Sequence, residues 1–339
     1  MAVTMSDVAI RELSTLGTGD VPVAGGKGAN LGELRSAGFP VPDGYVITAQ
    51  AFLAAMDAAG VREQLVQTVR DAAVADPARL EVLAAQARDS IRAAGVPDDL
   101  AADIRSAHRA LAERSDADEP KVAVRSSATA EDTADTSFAG MNSSFTNVGA
   151  DDLIDRVLDC WVSLYGDRVV AYRAERGLTD EPAIAAIVQL MCPADRAGVM
   201  FTSATGQADP GGDLLIEGAF GLGEYVVAGT VEPDTYRVAR DGVVIRDVHV
   251  GRKEAALVTD ASGQHAETLP PDRALARVLT DEQILRTPAA ELQRMAREAV
   301  SRAGIYEQPE TIVFEKTGFG IRYRGEASAT GDGESTQYR

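Results

Sequence analysis

Basic charge is what this chain has least of. It carries 33 Lys and Arg against 52 Asp and Glu, a formal net charge of −19 over 339 residues. That balance argues against nucleic acid and against an anionic membrane as partners, because phosphate binders need a basic face. Long hydrophobic runs are missing too. No apolar stretch reaches about 18 residues, so no transmembrane helix is expected. Residues 1–7 lack the charged-then-apolar pattern of a secretory signal. Cysteine occurs only as Cys160 and Cys192, in apolar surroundings and without metal-ligand spacing. Buried thiols in a reducing cytosol are expected rather than a disulfide, which gives a cytoplasmic expectation. Histidine occurs three times. His108 falls in a charged helix, His249 in a strand and His265 in a polar loop, and each reads as a surface or structural residue. Against these absences, hydrophobic content of 45% is ample for a core and 31 glycines suggest many tight turns. The length leaves room for two domains of about 100–200 residues each.

Residues 122–148 organise the chain: V-A-V-R-S-S-A-T-A-E-D-T-A-D-T-S-F-A-G-M-N-S-S-F-T-N-V. Val122, Ala123 and Val124 predict a short buried strand. Arg125 sits at its end, followed by Ser126, Ser127 and a polar, acidic loop. Guanidinium offers rigid bidentate donors to phosphate, and a loop of small residues lets backbone N–H groups approach an anion. A surface loop with an Arg in a salt bridge is the competing reading. At residues 25–34, G-G-K-G-A-N-L-G-E-L begins as a glycine-rich turn and becomes a helix. Such a turn places N–H groups, a positive dipole end and the Lys27 ammonium together. It is not the Walker pattern, and a capped turn with a solvated Lys competes with it. Lysine is scarce in this chain, which tilts the choice toward function.

Elsewhere the patterns are those of an α/β chain. Thr48 is placed to cap a helix over 49–58. Three helices are predicted between 62 and 114, one long amphipathic helix over 152–176 with Trp161 on its core face, and a strand over 183–191. Gln189 in that strand reads either as a ligand contact or as a buried amide bonded to backbone. A second α/β unit follows, with strands at 197–202 and 214–217, a glycine-rich turn at 218–224 and a hairpin through Asp241-Gly242. Residues 311–314 and 320–323 predict a terminal strand pair.

These pieces coincide with a known family. The motifs are G-G-K-G-A-N-L-G-E-L, G-F-P-V-P-D-G-Y-V-I-T, V-A-V-R-S-S-A-T-A-E-D, S-F-A-G, A-G-V-M-F-T, E-G-A-F-G-L-G-E, V-x-P-D-x-Y and G-R-K-E, in that order. The chain resembles the N-terminal ATP-binding module of phosphoenolpyruvate synthase, pyruvate phosphate dikinase and rifamycin phosphotransferase, over roughly residues 10–285. The resemblance implies an ATP-grasp-type fold of two subdomains. The first would span 1–192, with a helical insert at about 62–114, and the second 193–324; residues 325–339, rich in Gly, Ser, Thr and charge, are expected to be a disordered tail. It implies that Lys27 and Arg125 contact ATP phosphates. Gly140 and the loop through Ser144 would form a phosphate lid, and Gln189 would lie near the adenine.

The C-terminal end departs from the family pattern. Val313 stands where a Glu is expected, Arg324 where a Gln is expected and Glu326 where an Arg is expected. Mg²⁺ is implied by the resemblance, but valine cannot ligate a hard cation, and Glu315 or Glu326 would have to substitute under a shifted register. The swivelling domain with its phosphoryl-accepting His is also absent, and none of the three histidines has its context. The expected activity is therefore a half-reaction, in which ATP is cleaved and a phosphoryl group passes to a separate phosphohistidine-domain protein. The alternatives are a catalytically degenerate nucleotide-binding or interaction module, or a truncated inactive product.

Overall fold

The apolar run ending at Leu190 becomes the central strand of a five-stranded sheet. A computed structural model describes residues 9–129, 143–192, 194–201, 213–239, 244–260, 263–286, 309–312 and 324–325. The chain divides into two units, Met1–Gly32 with Asp43–Met191 and Glu33–Pro42 with Cys192–Arg339.

The first unit begins with β1 (Ile10–Glu12), α1 (Val21–Ser36) and β2 (Gly44–Ile47). The unit boundary falls within α1. Next comes α2 (Ala49–Ala58), whose first turn is capped as expected: the Ala51 N–H donates to Thr48 Oγ1 at 3.2 Å. The three helices expected next are α3 (Arg62–Ala72), α4 (Pro77–Ala94) and α5 (Asp98–Ser115). Asp76 caps α4 by accepting from the Arg79 N–H at 2.8 Å, and Gly95 ends it at φ 68°. Strands β3 (Val122–Ala128) and β4 (Ser144–Val148) precede α6 (Leu153–Ser163), α7 (Asp167–Glu175) and β5 (Ile184–Leu190). The single helix expected over 152–176 is thus two. Gly166 turns to extended backbone (φ −62°, ψ 147°), and α7 restarts behind it.

Sheet order is β1-β2-β5-β3-β4, and every pairing is antiparallel. Strand side chains alternate between faces. Tyr45, Ile47, Val122, Val124, Ala186 and Val188 face the helical layer, where they join Phe52, Ile104 and Trp161 in one core. Trp161 is fully buried, edge-on to Phe52 with ring centroids 5.6 Å apart. The intervening residues Val46, Ser127 and Ile187 meet α1 instead.

The second unit contains β6 (Arg196–Phe201), β7 (Leu214–Phe220), α8 (Glu224–Val227), β8 (Asp234–Val238) and β9 (Ile245–His249). The hairpin β10 (Ala255–Asp260) and β11 (Gly263–Thr268) follows, then α9 (Pro271–Ala274), α10 (Asp281–Arg286), β12 (Pro309–Ile312) and β13 (Arg324–Gly325). Its antiparallel sheet runs β13-β12-β6-β7-β8-β9. Strand β7 continues through Gly218, where a turn was expected, because Gly218 pairs with Gly198 on one side and Asp234 on the other. At the C-terminal end Thr311 lies opposite Arg324 and Phe201; of the terminal pair expected, residues 313–314 and 320–323 lie outside the described residues. Leu34, Phe39 and Val41, in the 33–42 segment of this unit, are buried. Among the described residues no helix is long and apolar enough to cross a membrane.

Candidate functional site

The glycine-rich turn and the Arg-Ser-Ser strand, far apart in sequence, meet in the first unit. Helix α1 is broken at Gly25, whose φ of 67° and ψ of 171° suit only glycine. A Cβ on Gly25 would lie 2.2 Å from the Ser127 carbonyl oxygen and 2.3 Å from its Oγ. The turn therefore sits hard against β3. Three residues on, the Gly28 N–H donates to Ser127 Oγ at 3.2 Å, in a buried contact. Lys27 lies between these two glycines and is half-buried.

Arg125 does not end its strand, as the sequence suggested. Strand β3 continues to Ala128 because Ser126 and Ser127 are small and pair opposite Ala186 and Ala185 of β5. Arg125 is half-buried and lies opposite Ile187 on one side and Ser144 on the other. Ser144 thus belongs to β4 rather than to a loop. By strand alternation Arg125, Ser127, Ser144 and Ile187 share one face, the face that α1 covers. Gln189, two residues beyond Ile187, is on that face as well; it is fully buried and lies opposite Ala123 and Gly44. Ser126 points the other way. Its Oγ accepts from the Ser143 N–H at 2.9 Å, and its own N–H donates to the Ser143 carbonyl at 2.9 Å. Gly140, Val313, Glu315 and Glu326 lie outside the described residues, and Arg324 is described in its backbone alone.

Of the expected site residues, Lys27, Arg125, Ser144 and Gln189 are thus gathered at one sheet by the first unit. Ser127 was missed. Its signal is the Ser-Ser pair after Arg125 combined with two glycines around a lysine. Arg125 on this sheet face and the helix start that carries Lys27, seated against the same strand, suit an anion with several oxygens.

The last motifs of the sequence build a buried network in the second unit. Lys253 and Asp234 are both inaccessible to solvent and form an ion pair. The Lys253 ammonium also donates to the Gly251 carbonyl at 2.7 Å. Asp234 accepts from the Gly251 N–H at 3.1 Å, the Val278 N–H at 2.6 Å and the Tyr236 hydroxyl at 2.7 Å. Tyr236 in turn accepts from the Leu279 N–H at 3.0 Å. Burial pushes the Tyr236 phenol up to about 12, with the bond to Asp234 acting in the same direction and the Leu279 N–H opposing it. Gly251 is required because a Cβ there would meet the Glu232 and Pro233 carbonyls at 2.3 and 2.4 Å. G-R-K-E and V-x-P-D-x-Y are thus two halves of one structural knot.

Among the described residues, no hydrogen bond or ion pair of His108 or His265 involves the residues of these sites, while His249 borders the second-unit network through Glu232. His108 is 6% exposed, and burial lowers its pKa against a hydrogen bond to the Pro120 backbone. His249 is exposed, with Nε2 3.1 Å from Glu232 Oε1. The hydrogen bond from His249, then that from the Arg252 N–H, holds the Glu232 carboxyl below its ordinary range. His265 stands in β11, not in a loop, 3.9 Å from Asp260. Both cysteines are free thiols; Cys160 is buried and Cys192 half-buried. Burial pushes both upward. Among the described residues no three His, Cys, Asp or Glu side chains converge as a metal site.

The family model described as pyruvate phosphate dikinase, AMP/ATP-binding domain matches residues 21–317. The chain belongs to this family. It is a nucleotide-binding domain of mixed helix and sheet, with the ATP-grasp-type fold expected from the motifs. It is 38% identical over 304 residues to a probable phosphoenolpyruvate synthase of Methanothermobacter thermautotrophicus, covering 88% of this chain and 43% of that protein. A probable phosphoenolpyruvate synthase of Archaeoglobus fulgidus is 40% identical over 274 residues, 80% of this chain and 36% of the relative. The phosphoenolpyruvate synthase of Pyrococcus furiosus is 35% identical over 318 residues, 81% and 39% of the two chains. The chain therefore spans less than half the length of these relatives.

Proposed function

We propose that the domain binds ATP with its phosphates at Lys27 and Arg125, and that it supplies the nucleotide half of a phosphoenolpyruvate synthase-type phosphotransfer. The observation carrying this reading is the seating of the Lys27 turn on the strand that bears Arg125, through Gly28 and Ser127. Phosphoryl transfer asks a protein mainly for positioning and charge neutralisation. Lys27 and Arg125 would neutralise and orient the phosphates, Gln189 would hold the base, and Gly140 with Ser144 would cover the phosphate chain. The phosphoryl group would pass to a histidine on another domain or polypeptide. The names of the relatives support that assignment, each being a longer protein called a phosphoenolpyruvate synthase. Mg²⁺ belongs to the expectation through Glu315, outside the described residues, and no step of this reading is routed through it. A second reading, a domain that binds nucleotide without turnover, is favoured by Val313 at the position where a metal-binding Glu is expected.

The test is ATP titration by calorimetry of the chain and of Lys27→Ala and Arg125→Ala. Losing a charge-assisted contact typically costs about 1.5–3 kcal/mol, so each variant should bind ATP about 10- to 150-fold more weakly. Melting temperature should change little, since both side chains are only half-buried. Unchanged affinity in both variants would refute the site. Turnover with a supplied phosphohistidine domain separates the two readings.

A further inference from the structure

Ser127 matches no expected ligand contact, yet it is fully buried and both sides of the Lys27 turn close on it. The first N–H groups of a helix have no intrahelical partner, and a Ser at the cap position commonly accepts from the third residue. Here the cap position is Gly25, the non-helical residue inside α1, and the third residue after it is Gly28. Gly25 has no side chain to offer. Ser127 Oγ supplies the missing acceptor from another strand, 99 residues away in sequence. The exchange is obligatory, because any Cβ on Gly25 would collide with that same serine. Ser127 also lies two residues beyond Arg125, on the same face of β3. One strand therefore carries one proposed phosphate contact and fixes the helix start that carries the other.

Resting on the nucleotide reading above, we infer that Ser127 is a positioning residue for Lys27: its hydroxyl caps the helix start from outside and sets the Lys27 turn in register with Arg125. It acts on the phosphates through Lys27 and does not touch the nucleotide. The inference predicts a loss confined to phosphate recognition, and one that disappears when Lys27 is already gone.

The experiment is a double-mutant cycle on the full chain, with Ser127→Ala, Lys27→Ala and the pair, titrated with ATP and with adenosine. One net hydrogen bond corresponds to about a 2- to 12-fold change in an equilibrium constant. Ser127→Ala should weaken ATP binding by about that factor, leave adenosine unchanged, and add nothing in the Lys27→Ala background. Ser127→Cys, which keeps a weak acceptor, should lie between wild type and Ala. It also serves if Ser127→Ala fails to fold, as judged by circular dichroism. A merely structural role would weaken ATP and adenosine alike and would add to Lys27→Ala, and either result overturns the inference. Wild-type ATP affinity in Ser127→Ala, beside a weakened Lys27→Ala, overturns it too and leaves the nucleotide site standing. If the wild-type chain binds no ATP, the nucleotide reading falls and takes this inference with it; if Lys27→Ala alone binds ATP normally, this inference falls while the nucleotide reading still stands on Arg125.

Discussion

Gly25 should tolerate no side chain, and the cost can be worked out from the turn itself. At φ 67° and ψ 171° its backbone lies in a region that is essentially glycine-only. Holding another residue there costs about 1–3 kcal/mol. The added Cβ would also sit 2.2 Å from the Ser127 carbonyl oxygen, a backbone atom of a paired strand that cannot swing aside. Forcing an extra methyl into such a place costs a further ~1–3 kcal/mol. Together these give about 2–6 kcal/mol for Gly25→Ala, which for a unit of this size lowers the melting temperature by about 4–24 °C. Two controls separate the terms. Gly60 also has a positive φ, 70°, but nothing lies within 4 Å of its would-be Cβ. Gly60→Ala should therefore cost only the left-handed strain, about 1–2 kcal/mol. Gly19 has neither a positive φ nor a neighbour, so Gly19→Ala should stay within about 0.5 kcal/mol of wild type. Trp161 is the sole tryptophan and lies in the core of the same unit, so a fluorescence melt reports the unit that contains all three glycines. If Gly25→Ala melts together with Gly60→Ala, the close seating of the turn on β3 is refuted.

Two further outcomes are expected beyond the nucleotide titrations. Lys253→Met leaves Asp234 with a buried, uncompensated charge, which should destabilise the second unit by about 3–5 kcal/mol. Hydrogen exchange at the Val278 and Leu279 amides, both tied to this network, should accelerate with it, and unchanged protection would rule out the network as an anchor. Burial lowers the folded pKa of His108 beneath its ordinary ~6.5, so the unfolded chain takes up that proton first as pH falls. The stability supplied by neutral His108 is full above about pH 6.5 and is lost as pH falls through the lower, folded value. His108→Leu should therefore flatten the fall in melting temperature between about pH 8 and about pH 5.5; an unaltered slope would show that His108 is not the group responsible.

Local features were well written in the sequence. Thr48, Asp76 and Gly95 bound helices as their chemistry requires, and Trp161 is core. The errors came where a neighbour overrode a residue's own preference. Ser126 and Ser127 are poor strand formers, yet β5 pairs with both and carries the strand past Arg125. Gly218 reads as a turn until strands close on it from both sides. At the site, the glycines around Lys27 were visible, but the reason for them was not. Gly25 is explained by a serine that only the folded sheet brings near, and no local window contains both. The Asp234–Lys253 pair was hidden in the same way, as two short motifs whose only link is spatial.

The interleaving of the two units has a topological consequence. The chain leaves the first unit inside α1, contributes residues 33–42 to the second, returns at Asp43, and leaves again after Met191. No single backbone cut can therefore release the second unit whole. Cleavage after Met191 would strand Leu34, Phe39 and Val41 on the wrong fragment, stripped of the unit that houses them. During synthesis the same segment emerges long before its eventual surroundings exist, so the second unit can be completed only by reaching back along the nascent chain. Insertions, fusions and circular permutations of this domain must keep all three crossings intact.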